Sequence, residues 1–408
     1  MTQHASVEMD NWLTPEFLEN PYPTFQALRE HDPVHWNSLS LIWIATRYDD
    51  IMAIIQDRRF SSTLDSSDMR LADSSLDDVK DMQAVGLYLS MFMQGMDPPL
   101  HTRQRQFIHK TFTSRMIERM RERAQALVNE YLDEVQKKGH FDLIADLAYP
   151  LPSTIIFELL GIPLDLREPI KSSSETIASF VGMVPPTSEQ LQHMAGSLHR
   201  VADLLRPIIA ERREHPKNDL LSLMVQAEEN GEQLSEQELI ILITMLLFAG
   251  HETTTNLIGN GVLALLRHPD QFALLKSDLS LVPQAVEEML RYDPPVQMVA
   301  RFLTEDVEFG GKALQKGQRI LIGLAASGRD PEHFASADRF DITRKPERTL
   351  SFGYGIHFCL GAPLARLESQ IALTELVKRL PNLRLASNTV EWRPSIAMRG
   401  LKSLPLEF

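Results

Sequence analysis

The sequence predicts a mainly α protein with a small β subdomain, on three observations. Apolar residues recur at three- and four-residue spacing from about residue 100 to 290, as in MIERMRERAQALVNEYLDEV and LHRVADLLRPIIAERREH. Short alternating pieces bounded by Gly and Pro stand near both ends of the chain. No repeat recurs and no Gly/Ser- or Pro-rich linker divides the 408 residues, so one domain, 1–408, is the simplest organisation.

The β-rich parts are expected at about 20–60, 295–345 and 385–408, and the helical body at about 100–290 and 345–385. PVHWNSLSLIWIATRY, from Pro33 to Tyr48, reads as a hairpin around Asn37-Ser38, after which Asp49 caps a short helix to about Gln56. Ser61 to Met96 and Phe180 to Thr187 are irregular, the first ending in the Met-rich LYLSMFMQGM. Leu239 to Gly250 is strongly apolar, yet about half the ~20 residues a membrane span requires, and reads as a buried helix. After Pro294, VEFGG, ALQKG and RILIGL read as strands, followed by a helix from about Pro363 to Leu380 and a strand-like tail.

With 41 Lys+Arg against 55 Asp+Glu, the net charge is −14, and no basic run is present. Nucleic-acid binding, which needs a concentrated positive footprint, is therefore not expected. The N-terminus carries neither a signal-peptide apolar region nor a transit-peptide bias, which predicts a cytoplasmic protein without a membrane anchor. One cysteine in the whole chain, Cys359, excludes an internal disulfide and a Cys-paired zinc site. By itself a lone cysteine is a small buried hydrophobe as readily as a functional group.

Its surroundings, SFGYGIHFCLGAPLARLE, form a Gly-rich apolar turn feeding a helix that has Pro363 near its start. Backbone amides and the positive end of the helix dipole favour thiolate over thiol there. Zinc would have to recruit His, Asp or Glu from elsewhere, and a thiol nucleophile would need a His base that the spacing does not supply. No CxxCH is present to attach haem covalently, which leaves haem iron with one axial thiolate as the attractive reading.

Phe352-x-x-Gly355-x-x-x-Cys359-x-Gly361 resembles the haem-binding signature of cytochrome P450 monooxygenases. The resemblance implies the P450 fold, with haem b bound non-covalently between a long oxygen-activating helix and the Cys-loop helix. It makes Cys359 the iron ligand and Gly353, Gly355 and Gly361 the residues that keep the loop tight, with Phe352 beside the sulfur. Further motifs follow in the family's order. Glu288 and Arg291 lie three apart on one helical face and resemble the Glu-x-x-Arg element, with Arg339 of DRFD as third member of a buried structural network. Ala249-Gly250-His251-Glu252-Thr253-Thr254 resembles the oxygen-activation groove: Glu252 is the acid of a proton relay, Thr253 the hydroxyl that steadies dioxygen, and Ala249 and Gly250 leave room for it. Gly250 and the Thr253 hydroxyl are also expected to open a local bulge in this helix.

His101 and Arg105, four apart after Asp97-Pro98-Pro99, are implied as partners of the haem propionates, together with Arg301 and His357. Gly328, before Arg329-Asp330-Pro331, stands where many relatives carry Asn. By position, Met96, Val184, Met245, Val296, Gln297, Val299 and Met398 face the substrate.

The likeness is greatest to soluble bacterial members that hydroxylate macrolides, terpenoids, steroids or fatty acids. It implies insertion of one atom of dioxygen into a C–H bond of a hydrophobic small molecule, by hydroxylation or epoxidation, in a monomer. No plausible G-x-G-x-x-G follows a strand, so electrons are expected from a separate ferredoxin and its reductase. Arg103, Arg105, Lys110 and Arg115 form a locally basic stretch for such a partner, with a solvated helix face as the blander reading. A peroxide-driven peroxygenase and a non-catalytic haem-thiolate binding protein are the rival functions, and the Glu252-Thr253 pair argues against both.

Overall fold

The computed structural model describes residues 10–408, except 13, 64–84, 87, 112–113, 182–186 and 230–233, and omits the side chains of 110–115, 178–181 and 227–229 as well. In chain order it contains α1 (Pro15–Glu19), α2 (Tyr22–His31), the hairpin β1 (Val34–Asn37) and β2 (Ile42–Ala45), α3 (Tyr48–Gln56) and β3 (Phe60–Ser61). Then follow α4 (Leu100–Thr111), α5 (Ser114–Gln136), β4 (His140–Asp142), α6 (Pro150–Leu160), α7 (Arg167–Val181), α8 (Ser188–Glu214), α9 (Leu220–Glu229) and α10 (Glu236–Arg267). The last part holds α11 (Pro269–Ser277), α12 (Val282–Tyr292), β5 (Met298–Leu303), β6 (Val307–Phe309), β7 (Lys312–Leu314) and β8 (Arg319–Gly323). It closes with α13 (Leu324–Gly328), α14 (Ala362–Arg379), β9 (Arg384–Leu385) and β10 (Pro405–Glu407).

The chain divides into two compact units. One comprises residues 1–60, 123–151 and 253–408, and holds the sheets. Its main sheet has the order β1-β2-β8-β5-β3, with β2 parallel to β8 and β5 antiparallel to it. The first hairpin and the residues after Pro294 thus meet in one sheet, through pairs such as Ile44 with Leu321 and Arg301 with Ile320. One face of this sheet buries Trp43, Ala45, Ile320 and Ile322 with Tyr48, Ile51 and Phe334, the alternation that period-2 strands impose. A second sheet, β4-β10-β9, ties the C-terminal strand to residues 140–142.

The other unit, residues 61–122 and 152–252, is helical. Its apolar faces meet in a cluster of Ile177, Leu191, Met194, Leu198 and Phe248. Thr187 and Gln190 close a reciprocal capping box at the start of α8, with each backbone N–H donating to the other's side chain.

Two local expectations are corrected, and a third lies largely beyond what the structure describes. The helix after the first hairpin has Arg47 at its N-cap with no side-chain cap, and Asp49 lies inside its first turn, next to the positive end of the dipole. The irregular stretch before Met96 falls largely outside the described residues. The helix α10 is α-helical throughout and carries no bulge at Gly250 or Thr253.

Candidate functional site: a thiolate loop and an open helix stripe

The loop before α14 is closed by its own backbone. Gly353 N–H donates to the Leu350 carbonyl (2.7 Å), Phe358 N–H to Gly355 (3.1 Å) and Cys359 N–H to Phe352 (2.9 Å). Gly353 and Gly355 sit at φ of 70° and 66°, in the left-handed region that a side chain makes costly. Gly361 is the N-cap of α14 and Pro363 lies in its first turn, so the half-buried Cys359 stands just before a helix N-terminus. Ser351 Oγ donates to the Leu290 carbonyl at 2.6 Å, fixing the loop to α12. Phe352 is held from the other side by the Arg366 guanidinium, 4.5 Å from its ring centroid. His357 ends a short 3₁₀ turn in the same loop.

The α12 carboxylate beneath this loop is buried and doubly paired. Glu288 Oε2 and Oε1 accept from Arg291 Nε (2.7 Å) and Nη2 (2.8 Å). Arg291 donates further to the carbonyls of Gly328 (2.5 Å), Ala337 (2.6 Å) and Arg339 (2.9 Å). The third member of the network is Arg344, whose Nε lies 3.2 Å from Glu288 Oε2, and the expectation of Arg339 is corrected. Arg339 is exposed and supplies only its backbone carbonyl. Gly328 also proves specific, since a Cβ there would lie 2.3 Å from the Arg291 carbonyl oxygen.

Within the first unit, Arg301 is buried on β5, and its Nη1 donates to the Ala300 carbonyl at 2.8 Å. Val296 bridges to Met398, and Val299 packs on the sheet core. Gln297 lies in an indentation enclosing about 270 Å³ of empty space, part of it open to solvent. Phe17, Phe25, Ile396 and Arg399 also line it. The Gln297 Nε2 donates to the Pro294 carbonyl at 2.7 Å.

In the helical unit, His101 and Arg105 occupy successive turns of α4, His101 being 2% exposed. Burial, and then the positive charge of Arg105, hold the His101 imidazole below the ordinary histidine range, against the pull of Asp97. Asp97 accepts from Ser61 Oγ and from Ser62 N–H (3.1 Å), which anchors the start of this helix. Arg103 is paired with Glu238, as a solvated face would be. Lys110, Arg115 and Val184 lie outside the described side chains. Met96 and Met245 are buried.

Along α10, every residue from Leu239 to Leu265 is buried except Ala249, Gly250 and Thr253. Spacings of one and four place the three on one face of a helix, so an otherwise enclosed helix opens along one short stripe. Glu252, beside it, is 3% exposed. The opening is lined by small side chains for a packing reason too. A Cβ at Gly250 would stand 2.7 Å from Ile156 Cγ1 of α6, a contact that no spacing in the sequence announces.

The Cys359 loop suits a planar apolar group held by a single sulfur. A Cβ built at Gly355 or Gly361 would meet nothing within 4 Å, so the loop is open at these two positions on either side of Cys359. Ile356 and Phe358, which flank His357, are 50% and 41% exposed and are apolar. Among the described residues no three His, Cys, Asp or Glu side chains are grouped to hold a metal ion.

The family model described as Cytochrome P450 matches residues 87–383. The polyketide biosynthesis cytochrome P450 PksS of Bacillus subtilis (strain 168) is 38% identical over 401 residues, covering 96% of each chain. Cytochrome P450 monooxygenase PikC of Streptomyces venezuelae is 39% identical, covering 97% of this chain and 93% of that one. The crystal structure of P450BioI, in complex with hexadec-9Z-enoic acid ligated acyl carrier protein, superposes with a TM-score of 0.88 at 35% identity, over 97% of this chain and 100% of that one. By these likenesses this chain belongs to the cytochrome P450 monooxygenases.

Proposed function

We propose that the protein hydroxylates, or epoxidises, a hydrophobic small molecule, as a cytoplasmic monomer whose 408 residues work as one catalytic domain. The observation that carries this reading is the stripe of Ala249, Gly250 and Thr253 opening an otherwise buried helix beside Glu252. Haem b with a thiolate ligand supplies the activation of dioxygen for insertion of one oxygen atom into a C–H bond.

The chain's own residues do the rest. Cys359 would hold the iron through its sulfur, with the helix dipole and loop amides favouring the thiolate. His101, Arg105, Arg301 and His357 would bind the propionates by charge-assisted hydrogen bonds. Glu252 takes a proton from solvent and Thr253 Oγ1 holds it at the stripe, while Ala249 keeps the space above clear. Met96, Met245, Val296, Gln297, Val299 and Met398 would line the substrate. Their apolar character favours a substrate with few charges, and the polyketide and fatty-acyl names among the relatives are in keeping with it. Electrons come from an external ferredoxin and reductase.

The test is the carbon monoxide difference spectrum of the reduced haem-loaded protein, followed by titration with macrolides, steroids, terpenoids and fatty acids. A thiolate-type Soret band that disappears in Cys359→Ser is expected, as is a high-spin shift with at least one class. Thr253→Ala should keep haem and substrate binding and divert reducing equivalents to peroxide. A thiolate spectrum retained by Cys359→Ser would remove Cys359 as ligand, and unchanged coupling in Thr253→Ala would remove the hydroxyl from proton delivery.

A further inference from the structure

We propose that His35 is a pH-operated latch fastening the N-terminal segment around Asp10 to the β1–β2 hairpin. The residue sits on β1 with a carboxylate at each ring nitrogen. Nε2 stands 2.6 Å from Asp10 Oδ1, and Nδ1 stands 3.0 Å from Asp32 Oδ2. Both His35 and Asp10 are buried. A neutral imidazole carries one N–H, so one nitrogen would then turn a lone pair toward a carboxylate oxygen; only the imidazolium donates to both.

The latch is built on both sides. Asp10 Oδ2 accepts from the Ser38 N–H (2.9 Å) and Oγ (2.6 Å), and the Asp10 carbonyl accepts from Asn37 Nδ2 (2.9 Å). The Asn37 Oδ1 accepts from the N–H groups of Leu39 and Ser40, so the hairpin turn and the latch share one residue. Asp32 is balanced by Lys312 of β7, 2.9 Å from its Oδ1. Two carboxylates thus meet two cations, provided His35 is charged.

Among the described residues, the other charged groups of α2 are engaged elsewhere. On α2, Arg29 donates to the Ala326 carbonyl, Glu30 accepts from Gln26, and His31 bonds the Ala27 carbonyl of its own helix. Across the hairpin, the register partner of His35 is the apolar Ile44.

Loss of the proton removes one donor and leaves Asp10 and Asp32 facing a neutral ring. Asp10 then keeps its bonds with Ser38 and Asn37 and loses the one from His35, so the segment loosens with rising pH. Two residues on, the buried Trp12 stacks on Phe17 at 5.6 Å. Phe17 walls the indentation that also holds Gln297 and Ile396, so the latch reaches the wall of that indentation.

Amide hydrogen exchange of residues 10–19 in the full haem-loaded chain tests this, at about pH 5.5 and about pH 8.5 and corrected for intrinsic exchange. Protection should fall roughly tenfold with rising pH, the equivalent of one charge-assisted hydrogen bond. The His35 ring-proton NMR shift should follow the same curve. In His35→Gln and in Asp10→Asn, protection should be lower and insensitive to pH. A wild-type segment whose protection ignores pH, or a pH response that survives in either variant, would overturn the proposal. Asp10→Asn carries the test should His35→Gln fail to fold.

Discussion

Glu287 and Glu288 are neighbours on α12, yet they meet arginine in two different media. Glu288 is 3% exposed, and its pair with Arg291 is shut away with Arg344 and three backbone carbonyls. Glu287 pairs with Arg366 at 2.5 and 3.0 Å, and the two side chains remain 34% and 32% exposed. The same functional groups at similar distances therefore differ in consequence. An exposed pair gives up little hydration and gains little, whereas each member of a buried pair depends on the other to offset its desolvation. The lesson is that the inner pair is scaffold and the outer pair adjustment.

Arg291→Ala is the sharpest way to break that contrast. It leaves the Glu288 carboxylate with Arg344 and the Asp341 N–H, and takes the Arg291 donor from three carbonyls, of which that of Arg339 still accepts from Arg344 Nη2, so a loss of roughly 3–5 kcal/mol is expected. Thermal unfolding and haem content measure it, with low soluble yield as the extreme outcome. A cost under about 1 kcal/mol would put Glu288 and Glu287 in the same class.

A second buried carboxyl sharpens the comparison from the opposite side. Glu368 on α14 is 1% exposed, and its Oε2 has no hydrogen-bond partner among the described residues. Burial alone pushes its carboxyl well above the ordinary glutamate range. Where Glu288 is surrounded by donors, Glu368 is buried without a donor at Oε2, and burial favours its neutral form. The sign follows by linkage: the folded chain retains a proton that the unfolded chain releases, so stability falls as pH rises above the ordinary glutamate pKa. Glu368→Gln removes that slope. The variant should unfold close to the wild type near about pH 4 and be more stable at neutral pH, by at most roughly 4 kcal/mol, the gap between the ordinary glutamate pKa and pH 7. Melting temperatures across that range check it, and parallel profiles would show that Glu368 is ionised in the fold.

Residues whose roles depend on local spacing were legible in the sequence. The Cys359 loop, the Glu288–Arg291 pair one turn apart and the His101–Arg105 pair stand on the elements that their motifs predicted. What stayed hidden depends on how irregular segments fold back. Arg339 and Arg344 lie five residues apart in a coil without periodicity, and nothing local says that the first turns its carbonyl inward and the second its guanidinium. Gly250 reads as space for a small molecule, yet it also admits Ile156 from a helix some ninety residues away. Gly328 looked like a departure from a pattern and proves to be a site with no room for a Cβ against Arg291. Glu368 ends a run, LARLE, that by composition passes for a surface turn of helix. Its burial comes from α14 being apolar on several faces, with Leu364, Leu367, Ile371, Ala372 and Leu376 all enclosed.

Arg366→Ala is the smallest of these effects and the most informative about the outer pair. Losing a partly exposed ion pair should cost under about 1 kcal/mol in thermal unfolding, and less at high salt. The guanidinium also lies over Phe352, a contact of roughly 0.5–1 kcal/mol, in the loop whose carbonyl receives the Cys359 N–H. A variant whose stability barely moves should therefore still alter the loop that carries the sulfur, read as a shift in the Soret band of the carbon monoxide adduct or in the haem reduction potential. Arg366→Lys retains the charge for Glu287 but not the flat cation over the ring, so it should restore salt-sensitive stability and leave the spectral shift in place. If Arg366→Lys restores both, Arg366 acts through Glu287 alone and its contact with Phe352 is incidental.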